Sequence, residues 1–567
     1  MEENEKHTTV AEQLVDTLAE SGVERIYAIT GDSLNALTEA ITNDGRIKFI
    51  HVRNEEAAAF AASAEAQLTG KLAVCAGSSG PGHVHLINGL YDAQRSNAPV
   101  LALASTCTSA MFGTGYFQET NPILLFSNCS VYNEMAVTPT QVPTMIHGAM
   151  QAAIGRGGVG VVGLPADVIG QPSVASRNTA SLQPSYTQRL QIPSAEEVSS
   201  AADMINSAKS VSIYAGSGAA DAVEKVRELS AKLNAPVITS YKSQMEMTRN
   251  MQNYVGHMGY LGMWSAVDAI ANADVVIILG TNFPYPGFFP TDKKIIQVDV
   301  RAERLGKRAK LNLGVRSDIS LFLDALIPKL EAKEDDSFLK QALSDWSMIQ
   351  EEFQIPLRNP GKENCIRPEY MMSLLDKLAD DNCIVTVDTG MNNVWTSHYL
   401  TPSKDRKMVG SFTHGSMANA LPMAIGAKFS NPDRQVISIS GDGGLAMLMG
   451  EMLTVIQYQL PVKLLVADNR ALAFVQWEME LAGFKPSETN LVNPDFARVA
   501  GAMGFHAETV TKPEELEPAM KRWLSYSGPA LLSVVTDTDA ASFAFSKELM
   551  EKGAPGNVVS NFMAPGI

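Results

Sequence analysis

Residues 435–470 constrain this chain more than any other stretch. An apolar run, Gln435 to Ser440, enters the turn Gly441-Asp442-Gly443-Gly444, and a segment with Met and Leu at helical spacing follows. A second apolar run, Val462 to Ala467, then closes on Asp468-Asn469. Two short apolar runs joined by a helix-length segment read as a parallel β-α-β unit, because parallel neighbours need a crossover connection. A right-handed crossover brings both strand ends to one edge of the sheet. Asp442 and Asn469 are therefore expected side by side as hard oxygen ligands. The turn opens a helix whose free N–H groups suit an anion, and Mg2+ combines a few protein oxygens with phosphate oxygens. The residues ask for a Mg-diphosphate group.

The same alternation recurs along the chain. Short apolar runs at 26–30, 47–52, 72–76 and 159–165, then at 211–215, 273–280 and 294–299, and again at 384–388, alternate with longer segments. That predicts an α/β chain of doubly wound parallel sheets. At 567 residues it is too long for one core. Three such domains are expected, at 1–182, 190–335 and 360–545, with a tail at 546–567. Residues 171–194, rich in Ser, Pro, Thr and Gln, and the charged, helix-like 328–366 read as connectors. In the middle unit Gly216-Ser217-Gly218 lacks the third glycine of a dinucleotide fingerprint. Asp299 ends a strand there, where an acid can hold a ribose hydroxyl.

A net charge of −16 argues against nucleic acid or an anionic lipid surface as a charge-driven partner. The five cysteines lie far apart with no C-x-x-C pair, as expected of reduced thiols in a cytoplasmic protein. The N-terminus is acidic and has no apolar signal core, and no apolar run reaches the ~20 residues of a membrane helix.

Gly441-Asp442-Gly443, 24 residues and then Asp468-Asn469 resembles the thiamine diphosphate (ThDP) signature of the pyruvate oxidase and acetolactate synthase superfamily. The resemblance runs over about residues 8 to 540. It implies that Asp442, Asn469 and the Ala471 carbonyl hold Mg2+, and that Gly441, Gly443, Gly444, Asp388 and Gly390 border the diphosphate. Met417 would lie under the bent cofactor, beside Ser416, with the Gly415 carbonyl accepting the 4′-amino group. That bend brings the 4′ nitrogen to C2, a proximity effect. Glu55 matches the single catalytic glutamate, which bonds N1′ of the aminopyrimidine; a partly desolvated carboxyl with a raised pKa suits that work. Asn54 stands where relatives usually carry His, and Ala473 where they usually carry Gly. The loop Gly77 to Gly82, with Asn88 on the next helix, resembles the one packed by the aminopyrimidine. Phe117-Gln118 resembles the pair that faces the thiazolium from the neighbouring subunit, and Phe474 and Glu478 complete the candidate catalytic set.

Segments in the middle unit resemble flavin-contacting loops of pyruvate oxidases, which implies bound FAD. They are Gly216, Ser217 and Gly218; Lys242; Gly262 and Met263; Thr281, Asn282 and Phe283; Asp299 and Val300; and Asp318 and Ile319. Gly31-Asp32-Ser33-Leu34-Asn35, Asn88 to Asp92 and Gly115 to Pro122 bring the chain nearest to the quinone-dependent pyruvate dehydrogenases. The implied reaction is oxidative decarboxylation of pyruvate through a ThDP-bound enamine, with electrons passing to FAD. Acetate and CO2 result with quinone as final acceptor, or acetyl phosphate and H2O2 with oxygen. The rival is acetolactate synthase, a carboligase whose FAD accepts no electrons. Against it, Trp477 falls one residue early for that enzyme's acceptor-site tryptophan, about 100° round a helix. Val298-Asp299-Val300-Arg301 also replaces its Phe-Asp-Asp-Arg run. The superfamily further implies a homodimer at minimum and a homotetramer by expectation. The tail carries one short helix-like run, 546–552, and no amphipathic stretch of the kind that docks a relative on lipid, which argues against membrane activation and favours a cytoplasmic protein, with a peripheral place at the membrane as the alternative.

Overall fold

The computed structural model describes residues 9–173, 190–362, 364–402 and 405–537. Three six-stranded sheets carry the chain, and every neighbouring pair within each is parallel. The first contains β1 (Arg25–Ala28), β2 (Lys48–His51), β3 (Ala73–Gly77), β4 (Val100–Thr106), β5 (Tyr132–Met135) and β6 (Val159–Pro165). The middle sheet contains β7 (Val211–Ala215), β8 (Val237–Ser240), β9 (Tyr254–Met258), β10 (Val275–Leu279), β11 (Lys294–Asp299) and β12 (Leu313–Arg316). A short antiparallel pair, β13 (Gly361–Lys362) and β14 (Cys365–Ile366), precedes the third sheet. That sheet contains β15 (Ile384–Val387), β16 (Lys407–Gly410), β17 (Val436–Gly441), β18 (Val462–Asp468), β19 (His506–Val510) and β20 (Ala530–Val535).

The strand orders divide the sheets into two types. The first runs β2-β1-β3-β4-β6-β5 and the third β16-β15-β17-β18-β20-β19, one topology used twice. The middle sheet, β12-β11-β10-β7-β8-β9, has the order of a dinucleotide-binding fold. Central strands are almost wholly buried, all seven residues of β4, β6 and β18 included, as sheets covered on both faces require.

The first and third sheets are joined through equivalent helices. The alanine-rich helix Glu55–Thr69 follows β2, and Ala420–Ser430 follows β16. They pack so closely that a Cβ on Gly426 would lie 2.1 Å from the Ala61 carbonyl oxygen. Small side chains on both helices permit that approach. The third domain also fixes the approach to Glu55: Glu451 Oε1 accepts the Arg53 and Asn54 N–H groups, each at 2.9 Å. The Tyr458 hydroxyl accepts the His51 N–H at 2.7 Å and donates to the Phe49 carbonyl at 3.2 Å.

Several features depart from the sequence reading, which marks no strand at β5, β8, β9, β12, β16, β19 or β20. The segment after Gly444 is not one helix: Asp442–Met447 ends at Leu448, a 3-10 turn Met449–Glu451 intervenes, and Met452–Gln457 resumes. Leu448 leaves the helical region (φ −126°, ψ 31°), and Glu451 is turned toward residues 53 and 54. The central strand β4, Val-Leu-Ala-Leu-Ala-Ser-Thr, has no counterpart in the reading, because its alternating alanines are weak strand formers. The tail run 546–552 and residues 174–189 of the first connector lie outside the described residues.

Candidate active site

A cavity of about 330 Å³ opens at the carboxyl edge of the third sheet. Thr389 and Gly390 follow β15, Gly415 and Met417 come from the loop after β16, Gly441 to Gly444 follow β17, and Asn469 to Glu478 follow β18. Asp442 and Asn469 both line it, as the crossover argument requires. Asp442 is 2% exposed, and burial, with the nearby charge of Asp468, holds its carboxyl above the usual range. Asn493 bridges these two acids, donating through Nδ2 to Asp442 Oδ2 at 2.7 Å and Asp468 Oδ1 at 2.8 Å. Sequence reasoning missed Asn493, which enters from an irregular segment 24 residues beyond Asn469 with no motif around it. Arg470 adopts a left-handed conformation (φ 55°) that turns the chain between Asn469 and Ala471.

These groups fit a small hard cation held with a diphosphate. Among the described residues no three His, Cys, Asp or Glu side chains gather as a metal cage. Asp442, Asn469 and a backbone carbonyl would leave coordination positions for phosphate oxygens. The helix behind the turn has only six residues, so the backbone of the glycine turn, rather than a long helix dipole, faces the anion. That backbone must come close. A Cβ on Gly444 would lie 2.1 Å from Asp388 Oδ2, and one on Gly443 would lie 2.9 Å from Leu472 Cδ2 and 3.4 Å from Met417 Cε. Asp388 is buried, its Oδ1 accepting from Thr389 N and Asn419 Nδ2 and its Oδ2 without a hydrogen bond. Burial pushes this carboxyl up to about 7.

The loop holding Met417 is pinned to the first domain. Asn88 Nδ2 donates to Ser416 Oγ at 2.8 Å and Glu56 Oε1 at 2.7 Å, and Asn88 Oδ1 pairs with His414 Nε2 at 2.8 Å. Glu55, 6% exposed, begins its helix with Oε2 3.0 Å from His85 Nδ1. Gly82 packs against it, since a Cβ there would lie 3.2 Å from Glu55 Oε1. Glu55 does not line the Asp442 cavity of its own chain. Gln118 (φ 60°) accepts from Ser79 Oγ at 3.2 Å, and Phe117 is 77% exposed. Phe474 and Glu478 line the cavity from the helix Ala473–Leu481, and desolvation raises the Glu478 carboxyl. Trp477 lies on the core side of the helix, 5% exposed, against Phe474 (centroids 5.5 Å apart).

A second cavity, about 390 Å³, lies at the carboxyl edge of the middle sheet. Ser217, Gly218, Lys242, Thr281, Asn282 and Phe283 line it as read. Gly216 sits behind them, so near Thr281 that a Cβ would lie 2.4 Å from the Thr281 Cβ. Other predicted residues stand outside the lining. Gly262 forms a tight turn on the His257 carbonyl, Met263 is buried in the core, Asp318 caps the helix Ile319–Leu326 and Ile319 is buried beneath it. Asp299 is buried and accepts the Arg301 N–H at 2.9 Å, but its Oδ2 has no hydrogen bond; Val300 is exposed. Sequence reasoning missed Arg95 and Asn97 of the first domain, Arg301 and Arg304, and Phe412. Arg304 Nη2 donates to Asn97 Oδ1 at 2.8 Å, tying the first and middle domains together at the cavity wall. A lining that holds three arginines and a lysine together with Phe283, Tyr285 and Phe412 fits a dinucleotide with a charged diphosphate and a flat ring. Residues 412–413 line this cavity and residues 415 and 417 line the first, so one short loop borders both.

Comparison with known sequences matches each sheet to a family pattern. Residues 8–124 match "Thiamine pyrophosphate enzyme, N-terminal TPP binding domain", 198–326 the central domain and 388–534 the C-terminal TPP binding domain. The chain is 32% identical over 533 residues to the protein YdaP of Bacillus subtilis (strain 168), covering 93% of this chain and 92% of that one. It is 30% identical over 538 residues to a pyruvate oxidase of Lactiplantibacillus plantarum, covering 93% and 88%. It is also 30% identical over 551 residues to the acetolactate synthase isozyme 1 large subunit of Escherichia coli (strain K12), covering 94% and 95%.

Proposed function

This chain belongs to the thiamine pyrophosphate enzymes of the acetolactate synthase and pyruvate oxidase superfamily, and from that premise we propose that it oxidatively decarboxylates pyruvate. FAD would take the electrons and pass them to quinone, giving acetate, or to oxygen with formation of acetyl phosphate and H2O2. The observation that supports this reading is the second cavity, lined by cationic and aromatic side chains suited to a dinucleotide and sharing the loop 412–417 with the Asp442 cavity.

When bound, ThDP supplies the nucleophilic carbon and electron sink that cleavage of a 2-oxo acid needs, and FAD supplies a two-electron acceptor. Asp442, Asn469 and the Ala471 carbonyl would hold Mg2+, with Asn493 orienting Asp442. Gly441, Gly443 and Gly444 would let the backbone reach the diphosphate, and Met417 would support the bend. Glu55 would hold a proton at the pyrimidine nitrogen, its burial keeping that proton from bulk water. Phe474 and Glu478 would close the chamber around the substrate. Because Glu55 stands apart from its own chain's Asp442 cavity, one site would draw on two chains, and the exposed Phe117 would meet the partner. A dimer is then the smallest active unit, and a tetramer the expected form. No helix among the described residues is long and apolar enough to cross a membrane.

The carboligase reading draws on the equal identity to an acetolactate synthase. The core placement of Trp477 speaks against it, since that side chain is withdrawn from the chamber it would have to shape. Pyruvate, ThDP and Mg2+ added without air to the purified, FAD-loaded protein should bleach the visible flavin band. Acetolactate formed with no bleaching would replace this reading by the carboligase. Quinone or oxygen given to the bleached protein would then identify the final acceptor.

A further inference from the structure

Lys242 lines the second cavity from the 3-10 turn Tyr241–Ser243 after β8, and a chain of hydrogen bonds leads from it into the first domain. Its ammonium donates to Gln67 Oε1 at 3.2 Å, Gln67 Nε2 donates to Ser63 Oγ at 3.1 Å, and Ser63 Oγ donates to Asp92 Oδ2 at 2.9 Å. Every donor points the same way, from cation to carboxylate, so each bond polarises the next. Ser63 and Gln67 lie on the helix that begins at Glu55, and Asp92 lies on the helix Ile87–Ser96. Ser63 and Asp92 are fully buried, and Asp92 Oδ1 has no hydrogen bond. Burial raises the Asp92 carboxyl to about 6 against the hydroxyls of Ser63 and Ser411 and the weaker pull of Lys242, and burial lowers the Lys242 ammonium against the pull of Asp92 and Glu246. Arg304 is the other cation bearing on Lys242.

A separated pair of this kind, its carboxyl fully buried and its lysine partly so, is a poor way merely to join two domains, because desolvating the charges offsets much of their attraction. Its position offers another use. Tyr241, beside Lys242, packs edge-on against Phe412 (centroids 4.7 Å apart), at the end of the cavity nearest the shared loop. A ring receiving electrons from the Asp442 cavity would have to sit at that end.

We propose that Lys242 and Asp92 set the reduction potential of the flavin ring in this cavity, Lys242 as the near charge and Asp92 as its distant counter-charge. The inference rests on the flavin reading above. Uptake of two electrons and one proton gives the ring one more negative charge, so a fixed cation at the wall favours the reduced form and a carboxylate behind it opposes that effect. Asp92 touches no cofactor and is a positioning residue.

The test is the two-electron potential of full-length protein loaded with FAD, ThDP and Mg2+, read from the flavin band against reference dyes. Lys242→Gln should lower it by about 30 mV or more, a tenfold change in the equilibrium. Lys242→Arg should restore it, and Asp92→Asn should raise it. Opposite signs from the two ends of one chain are what a purely structural tie would not produce. Flavin-loaded variants whose potentials stay fixed, or move in the same direction, overturn this inference and leave the flavin reading intact. Wild-type protein that takes up no FAD overturns both. If Lys242→Gln does not fold, the near-isosteric Asp92→Asn decides alone: a rise supports the inference, and no change or a fall overturns it.

Discussion

The first and third sheets share one strand order, so each turn of one has an equivalent in the other, and the two sets of turns carry different chemistry. After the first strand stand Gly31-Asp32-Ser33 in one and Asp388-Thr389-Gly390 in the other. After the second stand Asn54-Glu55 and the loop through Gly415 to Met417; after the third, Gly77 to Gly82 and Gly441 to Gly444. The third sheet gathers buried carboxyl groups at its edge, Asp388, Asp442 and Asp468 among them, whereas the first presents Glu55 amid glycine, serine and alanine. A common topology fixes where side chains project, and the residues placed there decide whether an edge can hold a metal-diphosphate or a proton. The equivalent helices Glu55–Thr69 and Ala420–Ser430 then lock the two sheets into a pseudo-symmetric pair within one chain.

That comparison breaks at different strengths in different places. Asp442→Ala should remove the metal from the third-sheet edge and lower ThDP-dependent turnover by roughly a thousandfold, a loss of the size seen when a preorganised electrostatic group is deleted. Calorimetric titration with Mg2+ and ThDP would show retention lost, while Glu55→Gln should leave it in place. Asp388→Asn should separate the sheets by pH. The folded protein holds a proton on Asp388 up to about 7 that an unfolded chain releases near the ordinary aspartate value, so this carboxyl costs stability as pH rises from about 4 to about 7. The full cost, up to roughly 4 kcal/mol, is reached above that window. Denaturant melts of cofactor-free protein should show Asp388→Asn gaining on wild type across the same range, and an equal pH slope in both would refute it.

Asn493→Ala should weaken Mg2+ affinity about 10–100-fold with the fold intact, as expected when a group orienting a metal ligand is lost. Gly426→Ala tests the helix pair itself. Its Cβ would stand 2.1 Å from the Ala61 carbonyl oxygen, so about 1–3 kcal/mol of stability should go, read as a lower Tm without change in Mg2+ binding.

How much of this was legible in sequence depended on whether a residue sat in a repeating pattern. Asp442 and Asn469 were readable because a β-α-β unit fixes where two strand ends lie, and both do line one cavity. Glu55 drew its role from resemblance alone, since two acids in a helix's first turn are ordinarily explained by the helix dipole. Asn493 comes from an irregular segment, Arg304 from a 3-10 turn and Asn97 from the end of a helix, far apart in the chain, and nothing in local spacing marks them. The break at Leu448 was hidden because its cause, Glu451 reaching Arg53 and Asn54, lies some 400 residues away in the chain (|i−j| of 397 and 398). Asp318 and Ile319 show the converse case: a resemblance singled out the segment, and its Asp318 side chain caps a helix while Ile319 is buried in the core.

The central claim is that a site joins the first sheet of one chain to the third sheet of another. Co-expression of Glu55→Gln with Asp442→Ala chains tests it most directly, because each hybrid dimer would contain one site with both residues intact and one with neither. With random pairing, about a quarter of wild-type decarboxylation should return, as two-fold symmetry requires, although each variant alone is nearly inactive. Hybrids no more active than the separate variants would contradict the account, and would return Glu55 and Asp442 to the same chain.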